Sequence, residues 1–202
     1  MDSRTKRQYA SLDKWEKSDY KGCIIATTGY GKTYTSILGI QGMIKRKNIK
    51  SVTIIVPTKD LKSQWEEELG LCNITIAQVF VVNTAARYWD TIGCDLLIID
   101  EYHTVASPYF RKVLDIQYKY ILTLTATIIR SDGLHELLLE HTPIVDEITL
   151  QECLDNKWVS EFIIYNIPVA LSSEELAKYK SIDDKFRNIA SRVGGMKNAN
   201  LM

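Results

Sequence analysis

Residues 26–33 read ATTGYGKT, and they join an apolar run to a helical pattern. Residues 22–25 before them are mostly apolar, and Ile37, Ile40 and Met43 after them recur as on one side of a helix. A strand, a glycine turn and a helix form the layout of a phosphate-binding loop. Its glycines let successive backbone N–H groups converge on one anion, and the helix N-terminus adds partial positive charge.

The side chains of this loop predict which groups would contact a bound nucleotide. Lys32 would reach the β- and γ-phosphates, and the Thr33 hydroxyl would bind Mg²⁺. The residues expected to surround the phosphates are Thr28, Gly29, Tyr30 and Gly31. The strict pattern has glycine six positions before the lysine, where this chain has Ala26. The alternative is an ordinary strand–loop–helix turn that contains GKT, and the flanking strand and helix favour the phosphate loop.

Length and composition set the class of protein. The 202 residues suit one α/β domain with an addition, or one and a half domains. A formal net charge of zero argues against a permanently bound nucleic-acid coat protein, so any nucleic-acid contact should be local. Four scattered cysteines and three scattered histidines predict neither a disulfide framework nor a zinc site. With no signal peptide and no apolar run of about 20 residues, we expect no membrane contact and a cytoplasmic location, in a bacterium or a phage-infected host.

Apolar, β-branched runs alternate with helical patterns along the chain. This alternation predicts an α/β fold with a mostly parallel sheet and helices on both faces. Strands are predicted at 22–27, 51–56, 74–82, 94–99, 118–124, 144–150 and 159–169. Helical segments are predicted at 1–21, 32–47, 58–69, 84–88, 110–114, 134–141, 150–156 and 172–189, and 194–202 is predicted to lack structure.

Two carboxylates follow the buried strand at 94–99. Asp100 and Glu101 would lie at the carboxyl end of the sheet, where open α/β sheets bind ligands. Buried carboxylates are costly unless a cation or a reaction needs them. An aspartate there can bind Mg²⁺, and an adjacent glutamate can position and deprotonate a water. The alternative is a surface acidic pair, which the phosphate loop earlier in the chain disfavours.

Two hydroxyls, those of Thr125 and Thr127, follow the predicted strand at 118–124. Hydroxyls at this edge of a sheet can bridge to neighbouring carboxylates, so this pair could respond to a γ-phosphate through the Asp100 segment. The alternative is a pair of threonines chosen for β-propensity alone.

Five ordered segments together resemble a known family. They are ATTGYGKT (26–33), VPTKDLKSQW (56–65), VVNTA (81–85), IIDEYH (98–103) and LTATIIRSDG (124–133). With them the chain resembles the first RecA-like lobe of a superfamily 2 helicase or translocase of the DEAD/DEAH type. It is most similar to the XPB-like and phage UvsW-like branch, of which TAT-x-x-R-x-DG is characteristic. The resemblance implies a RecA-like P-loop NTPase fold, with residues 1–170 as the ATP-binding lobe and 171–202 as a helical linker and tail toward a second lobe.

The resemblance also implies roles for single residues at the nucleotide. Lys32 and Thr33 would bind ATP and Mg²⁺, Asp100 would bind Mg²⁺, and Glu101 would be the catalytic base. His103 would couple this site to the other lobe. Gln8 would contact adenine, although the tyrosine that usually precedes it is Arg7 in this chain.

A further set of residues falls in segments that contact nucleic acid or couple it to ATP. The implied contacts to the nucleic-acid backbone, which carry no sequence specificity, are Thr58, Lys59, Thr84 and, as a support or DNA contact, Arg130. Thr125 and Thr127 would link the ATP state to movement along the strand.

The implied function is that of a motor lobe. ATP hydrolysis would drive movement on, or unwinding of, double-stranded DNA once a second RecA-like lobe, in cis or in trans, supplies an arginine finger. By itself the chain is expected to bind ATP and hydrolyse it slowly. One alternative is a standalone module that binds DNA or a partner and uses ATP as a switch. Another is an unrelated phosphate-loop ATPase or nucleotide kinase, which the DEYH and TAT segments argue against.

Overall fold

The computed structural model describes residues 1–127, 133–161, 163, 165, 167, 168 and 170–192, with side chains up to residue 189. The chain divides into two compact units, Met1–Glu161 and Phe162–Met202. All the described strands and motif residues lie in the first unit.

Strands and helices alternate through the first unit. The strands are β1 (Lys21–Ala26), β2 (Val52–Val56), β3 (Ala77–Val81), β4 (Gly93–Ile99), β5 (Gln117–Thr125) and β6 (Ile144–Ile148). The α-helices of this unit are α1 (Ser3–Lys17), α2 (Lys32–Lys47), α3 (Lys59–Leu71), α4 (Val82–Arg87), α5 (His135–His141) and α6 (Leu150–Asp155). Short 3-10 helices span Trp89–Thr91, Tyr102–Ala106 and Phe110–Asp115.

The six strands form one parallel sheet in the order β3-β2-β4-β5-β1-β6. Near the carboxyl edge, Ile25 of β1 pairs with Thr125 of β5, and Ile55 of β2 pairs with Ile99 of β4. Because parallel strands all end at one edge, the phosphate loop, Asp100 and the segment after Thr125 lie along the same edge. The predicted parallel sheet is confirmed, and the order shows β5 inserted between the loop strand and the acidic strand.

Two apolar cores confirm helices on both faces of the sheet. Successive strand residues point to opposite faces, so Ile54 and Ile98 enter one core while Ile55 and Ile99 enter the other. The first core packs under α1, α2 and α3, with Trp15, Met43 and Trp65 among its fully buried side chains. The second packs under α4, α5 and the 3-10 helices.

Two strand predictions differ from the structure. The strand predicted at 74–82 is the shorter edge strand β3, because Ile74 N–H donates to Leu69 O and so closes the end of α3 instead. The described residues between 160 and 170 form no strand, contrary to the prediction for 159–169. Ile163, Tyr165 and Ile167 there are 76–80% exposed, so their apolar alternation is not buried by a sheet partner.

Helix α1 is tied to the β6 edge by a partly buried ion cluster. Asp146 of β6, 4% exposed, accepts hydrogen bonds from Arg7 Nη1 and from Lys14 Nζ, each at 2.5 Å. Arg7 Nε also contacts Glu152 Oε1 of α6 at 2.7 Å. Burial alone would raise the pKa of Asp146, but the hydrogen bonds from Arg7, Lys14 and Ser11 outweigh it and hold that pKa below its ordinary value.

We expect Asp146→Ala to lower the free energy of unfolding by about 3 kcal/mol, because removing one partner leaves buried charge uncompensated. The loss should fall at the low end of the range for buried pairs, since Lys14 is half exposed and Arg7 keeps Glu152. Urea denaturation measures it. Glu66→Ala, which breaks the exposed Lys62–Glu66 pair, is the control and should change stability by under about 0.5 kcal/mol. Equal losses in the two variants would contradict a stabilising role for the cluster.

The second unit contains α7 (Ser173–Arg192). Its start is a capping box: Glu175 N–H donates to Ser172 Oγ at 3.3 Å, and Glu175 Oε2 accepts from Ser172 N–H at 2.9 Å. Five apolar side chains on α7 are exposed: Leu176, Tyr179, Ile182, Phe186 and Ile189. Within the described ranges, no helix has both the length and the apolar character needed to cross a membrane.

Candidate nucleotide site

The loop between β1 and α2 has the backbone of an anion-binding turn. Gly29 (φ 83°) and Gly31 (φ 100°) are both left-handed, a conformation that glycine adopts without steric cost. Gly31 is the N-cap of α2, so the first backbone N–H groups of this sixteen-residue helix lie beside the loop. Between the glycines Tyr30 is fully buried, and its ring packs 5.8 Å from the ring of Trp158.

Helix α1 contacts the back of this loop through two side chains. Arg4 donates from Nε to Tyr30 O at 2.6 Å and from Nη2 to Gly29 O. Gln8 is 2% exposed, and its amide nitrogen lies 3.5 Å from the carbonyl oxygens of Tyr30 and Gly31. These contacts orient the carbonyl groups of residues 29–31 toward α1.

A surface cavity of about 420 Å³ adjoins Gln8. Its lining residues are Asp2, Arg4, Thr5, Gln8, Gly31 and Tyr34. Pockets for small ligands usually measure about 300–1,000 Å³, so this one is large enough for a purine base. The predicted contact of Gln8 with adenine remains a prediction. Arg4 and Tyr34, which also line the cavity, are not singled out by the sequence.

The side chain of Lys32 extends from the phosphate loop to Glu101, in the acidic segment after β4. Its Nζ lies 3.4 Å from Ala26 O and 3.4 Å from Glu101 Oε1. The two residues follow β1 and β4, which are separated by β5, so the side chains meet over the end of β5. The structure thus brings together the predicted phosphate-binding lysine and the predicted base.

Asp100 is buried behind this pair, with 5% of its surface exposed. Its Oδ2 accepts a hydrogen bond from Trp65 Nε1 of α3 at 2.9 Å, and its Oδ1 accepts one from Glu101 N–H at 3.0 Å. Burial raises the pKa of Asp100, and the charge of Glu101 adds to that effect, while Trp65 and Lys32 oppose it. A nearby cation would therefore stabilise the ionised carboxylate.

The segment after Asp100 turns sharply and contacts β5. Glu101 has φ 50°, an uncommon left-handed conformation for a residue other than glycine, and such outliers concentrate at functional sites. Its Oε2 lies 3.5 Å from His103 Nδ1, and the same nitrogen lies 3.0 Å from Thr125 Oγ1. The Thr125 hydroxyl donates to Thr127 O at 2.6 Å. The sequence predicted that the hydroxyls of Thr125 and Thr127 could bridge to carboxylates. In the structure, the Thr125 hydroxyl contacts His103 of the acidic segment instead.

The residues implied in nucleic-acid contact lie farther along the same edge of the sheet. Thr58 and Lys59 follow β2 and Thr84 follows β3, and all three are exposed. Thr58 Oγ1 also caps α3 by accepting from Leu61 N–H at 3.3 Å. Arg130 lies outside the described residues.

The donor atoms present suit a magnesium ion shared with phosphate. Thr33 offers a hydroxyl and Asp100 a carboxylate, and Mg²⁺ prefers oxygen ligands, usually one or two carboxylates together with substrate phosphates. Among the described residues, no group of three or more His, Cys, Asp or Glu side chains could bind a metal without such help.

Sequence comparisons agree with these motifs. A model of the family "Type III restriction enzyme, res subunit" matches residues 3–84. The DNA 3'-5' translocase XPB2 of Sulfurisphaera tokodaii is 30% identical over 204 residues, which cover 93% of this chain and 45% of that protein. The DNA 3'-5' helicase XPB of Mycobacterium tuberculosis is 30% identical over 155 residues, covering 59% and 28%. The chain spans less than half the length of these relatives.

Solved structures share the fold. The Sulfolobus solfataricus SWI2/SNF2 ATPase core in complex with dsDNA superposes with a TM-score of 0.59 at 17% identity, covering 96% of this chain and 54% of that chain. The Pyrococcus furiosus Hef helicase domain gives 0.60 at 17% identity, covering 91% and 46%.

The parallel sheet, the phosphate loop and the facing acidic pair define a RecA-like P-loop NTPase lobe. Such lobes use nucleotides. The matched family model and the XPB relatives support the N-terminal RecA-like lobe of a superfamily 2 helicase that is similar to the XPB proteins.

Proposed function

We propose that this chain is the ATP-binding motor lobe of a nucleic-acid-dependent ATPase, which hydrolyses ATP to move on or unwind duplex DNA together with a second RecA-like lobe. The observation that carries the proposal is the approach of Lys32 Nζ to Glu101 Oε1 at 3.4 Å, beside the buried Asp100. A lysine from a phosphate loop and a carboxylate from the neighbouring acidic segment meet where a γ-phosphate would have to lie.

In this proposal the phosphates bind to the loop N–H groups and to the start of α2, and Lys32 exchanges its contact with Glu101 for phosphate oxygens. Thr33 and Asp100 would hold Mg²⁺, which neutralises part of the charge on the phosphates. Arg4 and Gln8 keep the loop carbonyls turned away from the anion. Gln8 and the cavity beside it would take the adenine.

Glu101, once released by Lys32, is the group that can orient a water and accept its proton. The water oxygen forms a bond to the γ-phosphorus as the bond to the β,γ-bridging oxygen breaks, which yields ADP and inorganic phosphate. His103 lies between Glu101 and Thr125, so it can orient the base and relay a shift of β5 to it. Thr125 and Thr127 are thereby proposed as coupling residues.

The proposed nucleic-acid surface is the exposed edge after β2 and β3. Hydroxyls and the ammonium group of Thr58, Lys59 and Thr84 suit contacts to backbone phosphates, without base recognition. Arg130 is proposed as an additional contact from the sequence alone. Double-stranded DNA is the proposed substrate, because the related archaeal and bacterial XPB proteins are named as DNA translocases or helicases.

We predict that this chain alone binds ATP with turnover near that of a Lys32→Ala blank, with or without duplex DNA. The reason is that a second lobe would supply an arginine finger, which contributes about 10³–10⁵-fold in related NTPases. Nucleotide binding and phosphate release measure the two properties. Fast turnover by the chain alone would contradict the need for a second lobe.

Adding the second lobe tests the function itself. The complete protein is expected to show DNA-stimulated ATP hydrolysis. Equal turnover with and without nucleic acid would overturn the motor proposal. Saturable, ATP-dependent binding to DNA or a partner, with no turnover in any reconstitution, would instead favour an ATP-switched binding module.

A further inference from the structure

We propose that Trp65 is a positioning residue for the divalent cation: its indole N–H orients the Asp100 carboxylate that binds the metal. The inference rests on the proposed function, since it assumes that Asp100 takes part in binding Mg²⁺ with nucleotide. It assigns a role at this site to a residue of α3, a helix that lies outside both the phosphate loop and the acidic segment.

The contact is direct and buried. Trp65 is fully buried, and its Nε1 lies 2.9 Å from Asp100 Oδ2 across 35 positions of sequence. The backbone N–H of Glu101 donates a hydrogen bond to the other carboxylate oxygen, Asp100 Oδ1, at 3.0 Å. Each oxygen thus has one protein donor, which sets the plane of the carboxylate and leaves remaining lone pairs for a cation or its waters.

The chemistry of the indole makes this bond selective. An indole N–H can donate but cannot accept, and its hydrogen bond to an ionised carboxylate is stronger than one to a neutral carboxylic acid. The ionised carboxylate is also the form of Asp100 that a cation requires. Partners of this kind, which orient a ligand without touching the metal, commonly change metal affinity about 10–100-fold when they are removed.

The position of Trp65 in its helix supports more than a space-filling role. Helix α3 has two buried side chains, Trp65 and Leu69, and Leu69 has no polar group. Trp65 therefore provides the polar contact from this helix to the acidic segment. A second tryptophan offers a comparison: Trp15 of α1 is equally buried, and its Nε1 donates to Ile121 O at 2.8 Å, a backbone carbonyl in β5.

The test compares Trp65→Phe with Trp15→Phe. Each variant keeps an aromatic ring and loses one buried N–H bond, so similar losses of stability are expected in thermal unfolding. Binding of a fluorescent, non-hydrolysable ATP analogue is then titrated with MgCl₂. We expect Trp65→Phe to need about 10–100-fold more Mg²⁺ for half-maximal binding, with unchanged affinity for the analogue in EDTA. We expect Trp15→Phe to match the wild type in both.

The outcomes separate the two proposals. If the wild type shows Mg²⁺-dependent binding and Trp65→Phe has the same Mg²⁺ requirement, the positioning role is overturned while the proposed function stands. If the wild type shows no Mg²⁺-dependent nucleotide binding, both are overturned.

A second measurement keeps the inference testable if Trp65→Phe does not fold. The indole N–H resonance of Trp65 in the wild type can be assigned by elimination, with Trp15→Phe, Trp89→Phe and Trp158→Phe. It is expected to shift when Mg²⁺ is added to the complex with the ATP analogue. No shift on addition of Mg²⁺ would overturn the positioning role.

Discussion

Glu101→Gln is expected to reduce ATP hydrolysis about 10²–10⁴-fold while nucleotide binding is retained. Glutamine has nearly the shape of glutamate and can still contact Lys32 and His103, but its amide cannot take a proton from water. Single-turnover hydrolysis, with protein in excess over radiolabelled ATP, measures the loss even when turnover by this lobe is slow. A reconstituted two-lobe protein should show the same loss in kcat.

The matched control for that variant is Glu67→Gln, an exposed position on α3. It should leave both binding and hydrolysis at wild-type values. If Glu101→Gln hydrolysed ATP at the wild-type rate, Glu101 would have no part in the mechanism, and the acidic segment would serve cation binding alone.

Lys32→Ala is expected to weaken ATP binding about 100-fold or more. The ammonium group would make charge-assisted hydrogen bonds to phosphate oxygens, each contributing about 1.5–3 kcal/mol. Its removal also leaves Glu101, now without its 3.4 Å partner, facing the phosphates with uncompensated negative charge. Titration with a fluorescent ATP analogue measures the affinity directly.

Lys45→Ala is the control for Lys32→Ala, because Lys45 is an exposed lysine in the last turn of the same helix. It should bind ATP like the wild type. Wild-type affinity in Lys32→Ala would mean that the loop between β1 and α2 is not the phosphate site, and that result would remove the basis of the proposed function.

Much of the fold could be predicted because its strands are buried on both faces. Runs such as Val52–Val56 and the residues before Asp100 have no polar face, which is typical of central parallel strands. The insertion of β5 between β1 and β4 could not be predicted from residue patterns, since equally apolar strands carry no signal for their neighbours. The wrong prediction of a strand at 159–169 has a similar cause. Alternating apolar residues indicate an extended chain, but they do not show which strand it would pair with.

The loop and acidic residues of the candidate site could be predicted because their chemistry demands particular residue types at particular spacings. The residues that support them could not. Arg4 reads as one more cation on a basic helix, and Trp65 as one more core aromatic, until the fold brings them to Gly29 and Asp100. The sequence did contain part of the signal for Trp65, because this residue is the last of the VPTKDLKSQW segment. Spacing alone did not show which group its indole N–H contacts.

The sheet order also has a consequence for how the protein is made. β1 pairs only with β5 and β6 among the described strands, whereas β2 pairs with β3 and β4, the two strands that follow it directly in the chain. On a ribosome, the strand that carries the phosphate loop waits for about 90 more residues, or about 5–20 s at about 5–20 residues per second, before its first partner emerges. A nucleotide bound at this loop would therefore not assist the early steps of folding, and the apolar strand β1 would stay unpaired, and prone to aggregation, until β5 is synthesised.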